Sequence, residues 1–584
     1  MKNNIIINIL KNLAIHIRKK RKVQFLFLLA LTFFTGIIEV LSIASILPFV
    51  KSVTDVNFFK QNSHLLKSFY IHNEEDAIIV TGLFFSFLCV INAISRCVLI
   101  YLTARLSHGI TAEIGVQIYK AKLDDSYISH ISKNSSSIIA AVTQKVVQTS
   151  YTLSAIINFI SGCFLFLCVA LVLIWVNPKV MLVIMFFFAS LYFSLITFGK
   201  KTLRISGEIV NKAQNRIVES LRNGLGAIRD IIIDKTQDFY VNIFEKESYE
   251  KSKKEALISF IQYSPRYIFE GFAVAIVVVF VIFWTSFQAN INDIFKIFPT
   301  LAALAIGAQK IIPLLNTVYL NFSIVRSNAA QVAEIVEILD EYARKKEEIK
   351  LISIKKINFT NSVLFQNVFF SYNKNQQYIL ENVNFKIEKG SRVGIIGKTG
   401  EGKSTLLDLI MGLLIPENGI IKIDDIKLDK ETMGSWQSKI AHVPQNIFLS
   451  DSSFLENIAF GVDPEKINIE KVKSAAKKSQ CHDFIMKLEK GYNEMVGERG
   501  IKLSGGQIQR LGLARALYKD AEIIIFDEAT SSLDYETEKL IINELNHLDK
   551  NLTVIIVTHR LNTLDKCNSV FEIKDKQVHK KILN

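Results

Sequence analysis

The first part of the chain is built from apolar runs, each near the ~20 residues that cross a hydrocarbon core. They fall at Val23–Val50, Ala77–Leu102, Ser150–Val176, Val180–Phe198, Tyr267–Thr285 and Ile294–Leu315. Only Asn177-Pro178-Lys179 separates the third run from the fourth, which predicts a tight turn. The second-to-third and fourth-to-fifth connections are long and place apolar residues at i, i+3, i+4, a helical period. These two connections also concentrate base, as in Lys200, Lys201, Arg204, Lys212, Arg216, Arg222 and Arg229. That asymmetry puts both termini and both long connections on the cytoplasmic side. Each long connection has a turn-like apex, at Leu123-Asp124-Asp125-Ser126-Tyr127 and Asn223-Gly224-Leu225-Gly226, either a solvated loop or a docking point for a soluble domain. A charged stretch, Glu341–Lys356, closes this half. After it come short β-like runs such as Val363-Leu364-Phe365 and Val368-Phe369-Phe370. The expected division is a membrane domain over 1–325, a helical linker over 326–355 and a soluble α/β domain over 356–584.

Half of the 584 residues are hydrophobic, and the mean hydropathy is +0.28. The net charge of +14 follows from basic cytoplasmic loops and needs no nucleic acid; no aromatic-basic module is present. Arg18-Lys19-Lys20-Arg21-Lys22 before the first run has the charge order of a secretion signal. The run is too long for one and lacks a small-residue cleavage site, so it reads as an uncleaved span. The six cysteines form no C-x-x-C pair and read as small buried hydrophobes. Pro299 and Pro313 interrupt the last run and permit kinks.

Ionisable residues inside apolar runs face protein or a wet cavity. At 1.5 Å per residue, Arg96, Arg266, Glu270 and Lys310 fall toward the cytoplasmic side of their spans and Glu39 toward the outer side. Two readings stand. The charges snorkel or pair to hold helices together, or Arg96, Arg266 and Lys310 line a path for an anionic headgroup.

The chemistry is concentrated at Gly397-Lys398-Thr399-Gly400-Glu401-Gly402-Lys403-Ser404-Thr405. Val393-Gly394-Ile395-Ile396 before it reads as a buried strand, and Leu406–Ile410 after it as a helix. This is the strand, G-x-x-x-x-G-K-[ST], helix context of a phosphate-binding loop. Its glycines turn successive N–H groups into one concavity, and the helix N-terminus adds positive potential. Lys403 reaches the outer phosphates, and the Ser404 hydroxyl faces Mg²⁺.

Further elements follow in order: Val443-Pro444-Gln445-Asn446, Leu503-Ser504-Gly505-Gly506-Gln507 opening a helix, and Ile523–Phe526 with Asp527-Glu528 at the strand end. Ser532-Leu533-Asp534 comes next, and then Val554–Arg560, which reads as another buried strand ending in His559. Together these resemble the nucleotide-binding domain of ABC transporters. The implied fold is an all-α six-helix transmembrane domain of the ABC exporter type fused to an α/β P-loop nucleotide-binding domain. The implied cofactors are ATP and Mg²⁺. Asp527 would hold the metal with Ser404 and Gln445, leaving the neighbouring Glu528 free as base. His559 would orient the attacking water, Gln445 would sense the γ-phosphate, and Tyr372 resembles the aromatic that stacks on adenine. Ser504, Gly505 and Gly506 would bind the γ-phosphate of ATP held by a second copy, so the resemblance implies a homodimer; Gln507 and Asp534 are also implied nucleotide-binding residues. Gly497-Glu498-Arg499-Gly500 resembles the segment that touches the membrane helices.

The layout implies an exporter of the bacterial inner membrane. No cysteine-protease domain precedes the spans, an expectation against a leader-cleaving peptide exporter. Ile38–Ala44, Leu47-Pro48-Phe49 and Ser264–Gly271 resemble PglK-type flippases of lipid-linked oligosaccharides. The expected partners are membrane lipid, that glycan lipid and a second copy. A general lipid, drug or peptide exporter is the alternative.

Overall fold

The structure is a computed structural model. It describes the chain outside 1–3, 55–72, 133–134, 177, 288–291, 351–354, 374–376, 498–499, 529–550, 559–563, 565–566 and 582–584. For parts of the helices, chiefly within 4–10, 172–189 and 273–310, it describes the backbone alone. The chain divides into two compact units, Met1–Asp125 with Lys133–Lys345, and Lys346–Asn584 with Ser126–Ser132.

The described part of the first unit is helical. In chain order its elements are α1 (Asn4–His16), α2 (Lys19–Ala44), α3 (Ile46–Thr54) and α4 (Glu74–Leu123). After α5 (Tyr127–Ser132), which belongs to the second unit, come α6 (Ser135–Ala140), a π turn (Ala141–Lys145) and α7 (Val146–Val176). Then follow α8 (Pro178–Gly226), α9 (Ile228–Asp234), α10 (Gln237–Phe287) and α11 (Asn292–Lys350). Every apolar run lies in these helices. Among described residues, Lys19–Ser42, Glu75–Leu123 and Ile138–Leu171 are long and apolar enough to cross a membrane. The side chains of the other three runs lie largely outside the described set.

At 1.5 Å per residue the 50 residues of α4 run about 75 Å, more than twice a ~30 Å hydrocarbon core. The excess length packs on itself. Leu106, Ile110, Ile114 and Ile118 put one apolar stripe of α4 against Leu13, Val146, Ile335 and Leu339. Deeper in the unit Tyr192 stacks on Phe269 at 3.9 Å and meets Tyr319 edge-on. α8 and α11 approach so closely that a Cβ on Gly207 would stand 1.9 Å from the Ser327 carbonyl oxygen. Lys145, 1% exposed within the π turn, donates to Glu334 Oε1 at 2.5 Å. Glu334 Oε2 accepts from Asn211 Nδ2.

Two expectations change. The first apolar run is two helices, because Pro48 lacks an N–H for the Ala44 carbonyl and its ring crowds that group, so α2 ends at Ala44. Cys89 and Cys97 are exposed on α4 rather than buried; Cys481 is fully buried. The first apex is a turn after Leu123. There Asp124 accepts from the Tyr342 hydroxyl at 2.9 Å and Asp125 from Lys345 Nζ at 2.6 Å.

The second unit holds two sheets. β1 (Ser362–Phe370), β2 (Leu380–Glu388), β4 (Asn418–Ile423) and β5 (Ile426–Lys427) make an antiparallel sheet in the order β2-β1-β4-β5. The two short runs expected at 363–365 and 368–370 are one strand with a register shift around Asn367, whose φ is 49°. The second sheet contains β3 (Arg392–Gly397), β6 (Ile440–Val443), β7 (Ile523–Asp527), β8 (Thr553–Val557), β9 (Ser569–Lys574) and β10 (Gln577–Lys581). Its order is β10-β9-β3-β8-β7-β6, parallel except for β10. β3, β7 and β8 read as continuous apolar runs because parallel strands are covered on both faces. α12 (Lys403–Ile410) packs Leu406, Leu407, Leu409 and Ile410 into the core around Trp436 of α13 (Met433–Gln437). A smaller helical layer follows, with α14 (Phe454–Ile458), α15 (Ile469–Lys478), α16 (His482–Met486) and α17 (Gly505–Tyr518) around Phe454, Val472 and Leu511.

Candidate functional site

Parallel strands end together, and ligands of such sheets sit beyond those C-terminal ends. Here β3 ends at Gly397, β6 at Val443 and β7 at Asp527, while β8 leads into Thr558. The residues singled out from the sequence follow these ends directly.

The loop after β3 is shaped by glycine. Gly400 has φ +89°, and a Cβ there would meet open space; Gly402 has φ +97° and caps α12. Glu401 Oε2 accepts from the Lys398 N–H at 2.7 Å and closes the loop on itself. Lys403 lies inside the loop, donating from Nζ to the carbonyls of Gly397 at 2.8 Å and Lys398 at 3.0 Å. Ser404 is exposed beside it, and the buried Thr405 shares a hydrogen bond of 3.3 Å with the Tyr372 hydroxyl. Tyr372 packs edge-on against Phe370, 5.2 Å between centroids.

Opposite the loop stand the carboxylates. Burial first, then the charge of Glu528, pushes Asp527 above the ordinary carboxylate range, while Lys403 pulls it back. Glu528 sits at φ 51°, and its N–H donates to the Val557 carbonyl. Gln445 Nε2 donates to Glu528 Oε2 at 2.9 Å, fixing the side chain. This set fits a phosphate with a divalent cation. The loop offers N–H groups and an ammonium, and the paired acids carry repulsion that a hard cation relieves. The sequence reading missed Asp408 on α12. Burial and the charge of Asp527 raise it to about 6. Its signal was faint, one acid between Leu407 and Leu409 on a helix that otherwise buries that stripe.

Residues 380–531 match the family model for the ABC transporter. This unit is an ABC transporter cassette. The alpha-hemolysin translocation ATP-binding protein HlyB of Escherichia coli is 40% identical over 238 residues, 40% of this chain and 33% of that protein. The leukotoxin export ATP-binding protein LtxB of Aggregatibacter actinomycetemcomitans is 38% identical over 258 residues, 43% of this chain and 36% of that one. The chain thus spans about a third of the length of the curated relatives it matches. A solved bacterial Atm1-family ABC exporter with ATP bound matches 96% of this chain and 95% of its own, with TM-score 0.73 and 20% identity. The whole chain therefore has an ABC exporter fold.

Within the cassette, Ser504 caps α17. Its Oγ accepts from the Gln507 N–H at 3.3 Å, and Gln507 Oε1 accepts from the Ser504 N–H at 2.9 Å, a reciprocal capping box. Ser504 and Gly505 are exposed, so this helix N-terminus points N–H groups outward. α17 packs on β6, the edge strand three places from β3. At about 4.8 Å per strand that is roughly 14 Å, so one cassette does not bring its capped helix and its own phosphate loop together. Arg515 ties α17 to the helical layer through the carbonyls of Asn457 and Phe448, both at 3.0 Å. Gly497 and Gly500 adopt φ of 80° and 71°; Glu498, Arg499, Asp534 and His559 lie outside the described residues.

The helical unit corrects one placement. Glu39 and Arg96 were assigned to opposite sides of the bilayer, yet Arg96 Nη2 reaches both Glu39 oxygens at 2.5 Å, so they share one depth. The span boundaries were offset, because α2 and α4 pack antiparallel with α4 extending far past α2. Arg266 donates from Nε to Glu270 Oε1 at 2.9 Å one turn away. Both described candidate cations are therefore already paired with acid. The side chain of Lys310 lies outside the described residues.

Proposed function

We propose that the chain is one half of an ATP-driven exporter, an ATPase coupled to transport, and that two copies work as a homodimer. The reading is carried by the gathering of Lys403, Asp527 and the Gln445–Glu528 pair at the ends of neighbouring parallel strands, with the capped α17 set apart on the sheet edge. The amides of Gly397, Lys398, Thr399, Gly400, Glu401, Gly402, Lys403, Ser404 and Thr405 bind the phosphates, and Tyr372 stacks on the base. Lys403 leaves the Gly397 and Lys398 carbonyls to meet the outer phosphates. Ser404, Asp527 and Gln445 would hold Mg²⁺, which when bound neutralises charge on the phosphate oxygens. Glu528, held by Gln445, takes the proton of the attacking water, and His559 orients it. Ser504, Gly505, Gly506 and Gln507, with Asp534, close over the ATP of the second copy. The working division is 1–325, 326–355 and 356–584, in the bacterial inner membrane with both termini cytoplasmic.

The proposed cargo is a lipid-linked oligosaccharide, supported by the PglK-type stretches around Glu39 and Arg266. Its pyrophosphate would draw Arg266 away from Glu270, or meet Lys310 or Arg96. The second reading is export of a peptide or protein, favoured by relatives named for hemolysin translocation and leukotoxin export. Glu528→Gln is expected to bind ATP and close the dimer while turnover falls at least about 100-fold, the usual range for loss of a general base. Normal turnover refutes the base assignment. Proteoliposomes containing lipid-linked sugars or candidate peptides separate the two cargo readings by ATP-dependent movement.

A further inference from the structure

We propose that the basic mouth between α2 and α4 binds the phosphate headgroup of an anionic phospholipid in the cytoplasmic leaflet. The inference rests on the chain crossing a bilayer and is independent of what the chain carries.

The two helices are antiparallel. Arg21 Nε pairs with Glu113 Oε1 at 3.0 Å near one end of the contact, and Glu39 pairs with Arg96 further along. At the Arg21 end they enclose a cavity of about 690 Å³. Four cations line it, Arg18, Lys20, Arg21 and Arg105, against the single acid Glu113. That acid is already shared by Arg18, at 3.5 Å, and Arg21. Lys20 and Arg105 make no ion pair among the described residues, so the cavity keeps a surplus of positive charge open to a ligand.

Arg21 is a built part of this floor. Its Nη1 donates to Gln24 Oε1 at 2.9 Å, and its guanidinium lies flat against α4 at Gly109. A Cβ on Gly109 would come within 2.9 Å of Arg21 Nη2, so glycine is what lets the cation settle there. The rest of the lining is apolar, with Leu28 and Leu106 buried and Phe27 65% exposed. A soluble anion would need only the cations. Cations beside an outward-facing aromatic ring suit a ligand that is ionic at one end and hydrocarbon at the other. The run Arg18–Lys22 at the start of the first span sets the depth at the cytoplasmic surface, where anionic headgroups lie.

The test is native mass spectrometry of the full chain in detergent, titrated with phosphatidylglycerol or phosphatidylcholine, on wild type, the Lys20→Gln/Arg105→Gln double variant and Gly109→Val. Wild type should retain phosphatidylglycerol in preference to phosphatidylcholine. Each basic residue at a bilayer surface is worth about a factor of five, so the double variant should bind phosphatidylglycerol about 25-fold more weakly. Gly109→Val should also weaken it, by displacing Arg21 without removing charge. ATP turnover of all three chains in phosphatidylcholine vesicles should match, which checks folding. Equal phosphatidylglycerol binding by the three chains overturns the proposal. Complete displacement of the lipid by millimolar inorganic phosphate also overturns it, and assigns the cavity to a free anion. Lipid occupancy depends on neither cargo nor hydrolysis, so failure here is distinct from failure of the exporter reading.

Discussion

Asp408→Asn removes a charge that the cassette has to bury. The carboxyl lies on α12, and burial first, then the charge of Asp527, lifts it from 3.8 to about 6. Between those values the unfolded chain has already released the proton that the folded cassette still holds. Stability is therefore fully present below the unfolded value and is lost as pH rises through the folded one. The penalty is small at pH 4, grows as pH passes from 3.8 to about 6, and levels at roughly a few kcal/mol above pH 7. Asparagine fills the same space without that term. The cassette carries its own reporter, since Trp436 is fully buried and its Nε1 donates to the Ile410 carbonyl at 2.7 Å, two residues past Asp408. With Trp175 and Trp284 replaced by Phe, Trp436 emission follows the cassette alone during urea unfolding of the full chain in detergent. The variant should gain stability over its parent as pH rises from 4 to 7 and hold a constant advantage above that. A variant no more stable than its parent at pH 8, or an advantage that does not change with pH, refutes the reasoning.

Other outcomes follow from single partners. Arg96→Leu leaves the Glu39 carboxylate, 3% exposed, without its cation, and should cost about 3 kcal/mol, read as a lowered melting temperature in detergent. The Glu39→Gln/Arg96→Met pair should recover most of it, and an Arg96→Leu chain as stable as wild type would remove the pair from the account. At Asp424 burial raises the carboxyl, but four donated bonds, from the N–H groups of Ser362, Thr360 and Asn361 and from the Thr360 hydroxyl, outweigh it and hold it below the usual range. Asp424→Asn should destabilise the cassette by about 2 kcal/mol near neutral pH. The difference should shrink as pH falls through the depressed folded value, and a gap constant down to pH 2 would show that the charge contributes nothing.

The candidate site was legible where its pattern is local. The phosphate loop declares itself because glycines, Lys403 and a buried strand must be adjacent in sequence to work. The cap at Ser504 is equally local, three residues from Gln507. What stayed hidden depends on partners far along the chain. Nothing near Asp408 announces Asp527, and nothing in the run before α7 announces that Lys145 of the π turn will be sealed against Glu334 of α11. The depth of Glu39 was misjudged for the same reason, because counting from the ends of an apolar run ignores how far a 50-residue neighbour slides along it. The break after Ala44 was readable from Pro48, but only by asking which carbonyl the missing N–H would have served.

α12 is eight residues long, about 12 Å, with the phosphate loop at its front. Its rear is gripped twice, by Trp436 at the Ile410 carbonyl and by Gln437 Nε2 at the Gly412 carbonyl at 2.9 Å. A rod so short, fastened at its tail, has almost no give along its axis. Any tug that nucleotide exerts on the front arrives at α13, three residues ahead of β6 and the strand end that leads to Gln445. A displacement at the front of α12 would therefore have a short bonded path, through Trp436 and Gln437, toward the strand that precedes Gln445.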